Sequence, residues 1–268
     1  MIPAMIEVSD GGAETPEISP DGSGRSLQFG APASEALSDS VGGPCKHFRN
    51  NFSVMWWSKH PAAAAAKTFV LAEQTSGGEG RFHASSTSGV SARIRIRNPG
   101  LSSPEVKDYT YPIGTAAQWK QYVIVVDIGA DNPTNEQVVI YVDGAKVTPT
   151  VKTIDNTLTN RDGVNMTSFL QWGISLSNQH SVAIWDKILK AGEVLAIYNN
   201  GVGNVNLSKR KGQYKSQKRL QHWFFFDTTN INNVNRDYGK ARTTETIHLL
   251  DNADNISEAD LVIDAPGY

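Results

Sequence analysis

From Ser26 onward the apolar residues of this chain recur at every second position, and β-branched and aromatic side chains dominate the runs, so the pattern predicts strands. The clearest runs are 26–30 (SLQFG), 51–59 (NFSVMWWSK), 67–74 (KTFVLAEQ), 91–98 (SARIRIRN) and 119–128 (WKQYVIVVDI). Five more follow at 136–144, 169–177, 181–189, 220–227 and 245–250. Gly, Pro, Asn and Asp fill the gaps, which argues for an all-β fold of two antiparallel sheets packed as a sandwich rather than alternating β and α units. Tyr122, Ile124 and Val126 alternate with Val123 and Val125, so this strand is apolar on both faces and should be covered on both. In YVDG, Asp143 and Gly144 supply the positive-φ residues of a tight hairpin turn.

One stretch, 189–201, has helical spacing. Leu189, Val194, Leu195 and Tyr198 are expected to share its buried face, and Gly201 to stop it. The Gly-rich piece 75–81 (TSGGEGR) fits a hairpin tip and not a phosphate-binding loop.

The 268 residues, 39% of them hydrophobic with 23 glycines besides, suffice for a single large sandwich. The expected organisation is an N-terminal arm over 1–25, flexible or bound in an assembly, a sandwich over 26–230, and a C-terminal extension over 231–268 that completes the sandwich edge. The single cysteine, Cys45, excludes an intrachain disulfide. The start, MIPAMIEVSDGG, has neither the basic region nor the apolar run of a secretory leader, so synthesis without export by a signal peptide is expected. No window approaches the roughly 20 apolar residues of a membrane span, and no membrane partner is expected. A formal charge of −2 gives no general basic excess for nucleic acid.

The distribution of charge says more than its total. Residues 1–40 hold seven acids and one base, Arg25. From Glu245 to the end there are six acids and no Lys or Arg. Between them, Lys209, Arg210, Lys211, Lys215, Lys218 and Arg219 carry six positive charges in twelve residues, 208–219, without an acid. Such blocks are ordinarily solvated loops and tails; the sharper alternative is that acidic arms and basic loop pair between subunits.

The order of elements resembles the concanavalin-A-like lectin and laminin-G-like jelly roll. The residues that carry the likeness are SLQFG (Ser26, Leu27, Phe29), FSVMWW (Phe52, Trp57), WKQYVIVVD (Trp119, Asp127), YVDG (Tyr141, Gly144) and AIWDKILKAGEVLAIYNNG (Trp185, Leu189, Glu193, Tyr198, Gly201). The resemblance implies a lectin-type jelly roll over about residues 26 to 227, and it leaves function open, because that sandwich hosts lectins, hydrolases and structural modules. Ala191 and Gly192 stand where the family has a Ser or Thr helix cap, so a loose helix start is expected.

Catalytic chemistry finds no motif. The Glu-x-Asp-x-x-Glu strand of glycosidases on this fold is missing, as is a Gly-x-Ser-x-Gly elbow. The six histidines (His47, His60, His83, His180, His222, His248) lack metal-ligand spacing. DNADN at 251–255 lacks the ligand spacing of a calcium loop. No catalytic residue, metal or cofactor is therefore expected. Two surface features could bind a partner besides the basic loop. Arg93, Arg95 and Arg97 alternate along one strand face about 7 Å apart, suited to an acidic partner or anionic glycan, or simply to a polar outer face. Trp57 lies on the opposite strand face from Phe52, Val54 and Trp56, and offers a ring for stacking on a sugar if that face is open. The expected function is a non-enzymatic virion protein, a bacteriophage capsid decoration or other surface component. Its partners would be the major capsid protein or tail components and further copies of itself. The alternative is a carbohydrate-binding module of a phage tail or fibre that contacts host polysaccharide.

Overall fold

The structure, a computed structural model, describes residues 25–28, 36–40, 51–59, 67–73, 81–88, 91–98, 105–112, 118–127, 138–148, 151–155, 169–172, 178–201, 205–226, 238–240, 248–250 and 261–263. The expected arm, apart from Arg25, and the DNADN piece lie outside these residues.

Sixteen strands form two sheets with a single α-helix among the described residues. The first sheet contains β1 (Arg25–Gln28), β3 (Asn51–Lys59), β8 (Lys120–Asp127), β9 (Val138–Val142), β10 (Ala145–Lys146), β13 (Asn178–Trp185), β14 (Leu220–Phe225) and β16 (Leu261–Ile263). Its order is β10-β9-β8-β3-β13-β1-β16, with β14 also paired to β13. The second contains β2 (Ala36–Ser40), β4 (Lys67–Glu73), β5 (Arg81–Ser88), β6 (Ser91–Asn98), β7 (Glu105–Pro112), β11 (Val151–Asp155), β12 (Phe169–Trp172) and β15 (His248–Leu250). Its order is β11-β7-β6-β5-β4-β12-β2-β15. Neighbouring strands are antiparallel throughout, and the chain is a two-sheet antiparallel sandwich. Strands drawn from beyond residue 231 lie at an edge of each sheet, β16 on β1 and β15 on β2.

The period-2 pattern located the apolar strands to within a few residues but overlooked β2, β5, β7, β11 and β16. Of these, β2, β5, β7 and β11, with segments such as RFHASSTS and EVKDYTYP, carry Ser, Thr, Asp or Lys in place of a continuous apolar alternation, while β16, LVI, is too short at three residues to show one. The 181–189 run is displaced: β13 starts at Asn178 and ends at Trp185, and the chain then leaves the sheet for the helix. A bulge in β13, between Gln179 and Val182, sets two residues opposite Trp57. The 75–81 piece lies outside the described residues except for Arg81, but the pairing of Glu73 with Arg81 brackets it as the link of a β4–β5 hairpin.

The central strands have two buried faces. Phe52, Val54, Trp56, Tyr122, Ile124, Val126, Val182 and Ile184 are buried along one face, where Trp56 stacks on its cross-strand neighbour Tyr122 at 5.1 Å. Met55, Trp57, Val123, Val125, Ala183, Trp185, Trp223 and Phe225 line the other, where they meet Val194, Ile197, Val205, Leu207 and Tyr214 of an outer layer. The predicted hairpin is present, with Asp143 at φ 52° and Gly144 at φ 76° between β9 and β10.

Residues 238–240 strap the outer edge of β14: Tyr238 N–H donates to the Trp223 carbonyl at 2.8 Å and Lys240 N–H to the Leu220 carbonyl at 3.0 Å. Between them Gly239 runs so close to β14 that a Cβ would lie 2.2 Å from the Gln221 carbonyl oxygen. Gly239→Ala must push the strap off the sheet, and overpacking of this kind costs about 1–3 kcal/mol. Denaturant unfolding should register that loss, whereas Gly212→Ala, with nothing within 4 Å of its Cβ, should cost only about 1 kcal/mol for its φ of +54°.

Candidate functional site: a basic layer over the first sheet

The outer layer begins where β13 ends. Helix α1 (Ala191–Tyr198) lies across the sheet and is pegged at both ends by polar residues of the strands beneath. At its start, Ser53 Oγ of β3 donates to the Lys187 carbonyl at 2.7 Å and accepts from the Leu189 N–H at 3.0 Å. At its end, Gln121 Nε2 of β8 donates to the Ile197 carbonyl at 3.2 Å. Asn199 and Asn200, at φ 50° and 57°, then turn the chain into Gly201 at φ 93°, so two asparagines precede the glycine predicted to stop the helix.

Two sequence expectations for α1 are corrected. Leu195 is not on the buried face; it is 56% exposed, while Val194 and Ile197 face the sheet. It follows Val194 directly, and at 3.6 residues per turn that rotates it about 100° away from the core. Nor is the helix start loose. The Glu193 carboxylate accepts the Lys190 N–H at 3.2 Å, which caps the first turn without a Ser or Thr.

Glu193 also fastens the basic loop to the helix. It is 5% exposed, and its Oε1 accepts the Lys215 N–H at 3.1 Å and the Ser216 hydroxyl at 2.5 Å. Lys187 Nζ donates to Ser216 Oγ at 3.0 Å. Burial alone would raise this carboxyl, but the bonds from Ser216, Lys190 and Lys215, with the charge of Lys187, outweigh it and hold the group below its ordinary value. Tyr214 is the second anchor, fully buried, donating to the Leu207 carbonyl at 2.9 Å and accepting from Trp185 Nε1 at 3.0 Å. Burial drives its phenol pKa upward.

With Tyr214, Ser216 and Leu220 turned inward, the intervening cations are turned out. Lys209, Arg210, Lys211, Lys215, Lys218 and Arg219 are all exposed. Arg219 pairs with Asp186 at 2.8 Å, and Lys211 Nζ donates to Asn199 Oδ1 at 2.9 Å. Over 186–219 there are eight bases, the six above with Lys187 and Lys190, against two acids, Asp186 and the buried Glu193. In a chain of net charge −2, this layer is a concentration of positive charge among the described residues.

The other predicted site residues lie elsewhere. Arg93, Arg95 and Arg97 occupy alternate positions of β6 in the second sheet, so they do not join the basic layer over the first. Register sets Arg95 opposite Asp108 of β7, and Arg93, half-buried, opposite Thr110. Trp57 does leave the face of Phe52, Val54 and Trp56, but it is 2% exposed beneath the outer layer and stacks on Tyr198 at 5.9 Å, so it is no open platform for a sugar. Among the described residues no three His, Cys, Asp or Glu gather as a metal site, and no helix is long and apolar enough to cross a membrane. Sequence reasoning missed Ser53 and Gln121, although both are polar positions in otherwise apolar alternations, which is the signal that could have found them.

No protein-family model matches the chain, and no curated protein sequence matches it. Among solved structures it is similar to a heptameric SAP-like pentraxin from Limulus polyphemus, at 13% identity over 76% of this chain and 92% of that one, with a TM-score of 0.46. It is similar also to the CBM40 module of a Ruminococcus gnavus IT-sialidase bound to α2,3-sialyllactose, at 12% identity over 64% of this chain and 97% of that one, TM-score 0.43. A third is a botulinum neurotoxin type C structure, described by cell entry that depends on interaction with two ganglioside molecules, at 13% identity over 65% of this chain and 42% of that one, TM-score 0.47. These likenesses concern strand layout.

The Glu193 network sets a pH dependence of known sign. Because its folded pKa lies below the ordinary 4.5, its contribution is complete above that value and fades as pH falls through the folded pKa. Glu193→Gln should cost about 2 kcal/mol at neutral pH, the order expected for hydrogen bonds to a charged group. In chemical denaturation at stepped pH, the difference between wild type and Glu193→Gln should hold steady near neutrality and shrink below about pH 4.5.

Proposed function

We propose that this chain is a non-catalytic assembly module that docks an acidic protein surface through the basic layer over its first sheet. The observation that carries this reading is the anchoring of the layer. Cations on a mobile loop lose much of their pairing energy to side-chain and backbone ordering. Here Glu193, Tyr214, Ser216 and Leu220 fix the backbone from below, so the charges are presented in a set arrangement. The setting that the sequence favours for such a module is a virus particle, where capsid or tail proteins would supply the acidic surface.

A second reading, the carbohydrate module, is kept by one feature. Tyr198 is half-buried and stacked on Trp57, near the 2.6 Å Lys120–Asp143 ion pair; burial and then the charge of Asp143 raise its phenol pKa, with Lys120 acting against them. An aromatic ring beside fixed charged groups is an arrangement that sugars use.

The two readings part in one experiment, binding of the full chain to immobilised polyglutamate and to arrays of neutral, sialylated and sulfated oligosaccharides. Docking predicts polyglutamate binding that weakens steeply with salt. It also predicts a loss of roughly 2 kcal/mol, about 30-fold, in the K209E/R210E/K211E/K215E variant, since exposed pairs contribute about 0–1 kcal/mol each. Salt-insensitive binding of an oligosaccharide that Tyr198→Ala abolishes would transfer the function to the second reading.

A further inference from the structure

We propose that the partner of the basic layer is an acidic protein segment carrying one large apolar side chain, which seats on Leu195 of α1 while acids two residues to either side of it meet the flanking cations. The inference rests on the docking reading and names the partner's chemistry.

Leu195 is 56% exposed on a helix whose Val194 and Ile197 are buried, and among the described residues it is the large apolar side chain that stands out in water. A single exposed leucine is ordinary. This one is walled. The Gln213 side chain occupies the space where Gly192 lacks a Cβ, and Lys211 Nζ donates to Asn199 Oδ1 at 2.9 Å. Gly192 stands three residues before Leu195 and Asn199 four after it, so the three share one stripe of α1 and residues 211–213 pass alongside that stripe. The passing turn is itself fixed. Tyr214 N–H donates to the Lys211 carbonyl at 2.9 Å, Lys211 N–H donates to the Tyr214 carbonyl at 3.3 Å, and Tyr214 is buried. In the middle of the turn is Gly212, where a Cβ would meet nothing within 4 Å, so the wall carries no side chain there to close over the leucine.

Cations stand at both ends of this seat. At a helical rise of about 1.5 Å per residue, exposed Lys190 at the N-cap lies about 7.5 Å along the axis from Leu195, and Asn199, which holds Lys211, about 6 Å the other way. In an extended peptide, residues two apart lie about 7 Å apart and point to the same side. The order acid-x-apolar-x-acid therefore sets its acids over the two cations when its apolar residue rests on Leu195. Glu193, the acid of α1, is buried and bonded to Lys215 N–H and the Ser216 hydroxyl, so it does not oppose an incoming carboxylate at the surface. A uniform polyanion leaves the leucine in water, and an uncharged apolar peptide leaves the cations unpaired.

The test measures binding of the full chain to two labelled synthetic peptides, SESESLSESES and the same peptide with alanine in place of leucine, with polyglutamate alongside. The leucine peptide should bind about fivefold more tightly, the gain expected when its extra methylene groups are half removed from water. Raised NaCl should weaken both peptides but leave their ratio unchanged, because apolar burial is not screened. Leu195→Ser should bring the ratio to one without altering thermal unfolding, and Leu195→Met should restore it. Equal binding of the two peptides by wild type, with polyglutamate still bound in a salt-dependent way, would overturn the proposal and leave docking intact. A preference for leucine that survives in Leu195→Ser would put the apolar seat elsewhere and equally overturn it. Binding of neither peptide nor polyglutamate would remove the docking reading, and this inference with it.

Discussion

Burial on both faces of the first sheet is the constraint from which the remaining architecture follows. In β3, β8 and β13 almost every side chain is excluded from water, whichever way it points. One sheet-on-sheet contact can cover only one of those faces. At roughly 1.5–3 kcal/mol for each fully buried large apolar side chain, an uncovered second face would forfeit a sum larger than the stability of an ordinary domain. The layer formed by α1 and residues 205–220 is thus a structural requirement of the strands before it is anything else. Its outer surface is what remains available for function.

Hydrophobic burial is non-directional, and by itself it would let such a layer slide over the sheet. The polar pegs remove that freedom. Ser53 and Gln121 reach from adjacent strands to the two ends of α1, while Glu193 turns the helix into the anchor for the next segment. Each is buried, so an unmade bond would cost about 1–3 kcal/mol, and the register in which all are made is favoured over its neighbours. Gly144 shows how close the fit is: a Cβ there would stand 3.0 Å from the Tyr198 ring, so the β9–β10 turn packs against the helix end.

The period-2 alternation made the sandwich legible, because strands buried on one or both faces must show it, and the Asp143-Gly144 pair made its hairpin legible, because few other residues adopt those φ values. Helix α1 was legible as a helix but not in its facing. Leu195 and Val194 are both apolar, and which of them faces the sheet is decided by Ser53 and Gln121, residues far away in sequence. Trp57 was correctly placed on the face opposite Trp56, yet alternation cannot say what covers a face, and the covering layer comes from residues about 140 positions later. The basic loop was visible as a charge run. That it is pinned could not be read, since Glu193 lies more than twenty residues before the Lys215 and Ser216 it holds.

The pinning decides whether such a loop can recognise anything. Six exposed cations on a solvated tail would each meet an acid for less than about 1 kcal/mol, with ordering of the tail set against the sum. On this layer the backbone is ordered in advance by bonds that belong to the fold, so only the outer parts of the Lys and Arg side chains remain to be fixed when an acid arrives. The same pairs then add with less to offset them. Screening still limits each to its near neighbours, about 8 Å at physiological salt, so on the proposed docking reading the partner would be an acidic surface whose spacing follows the exposed residues between Tyr214, Ser216 and Leu220. Under that reading, strands that need a second cover would turn a weak and general attraction into one with a shape.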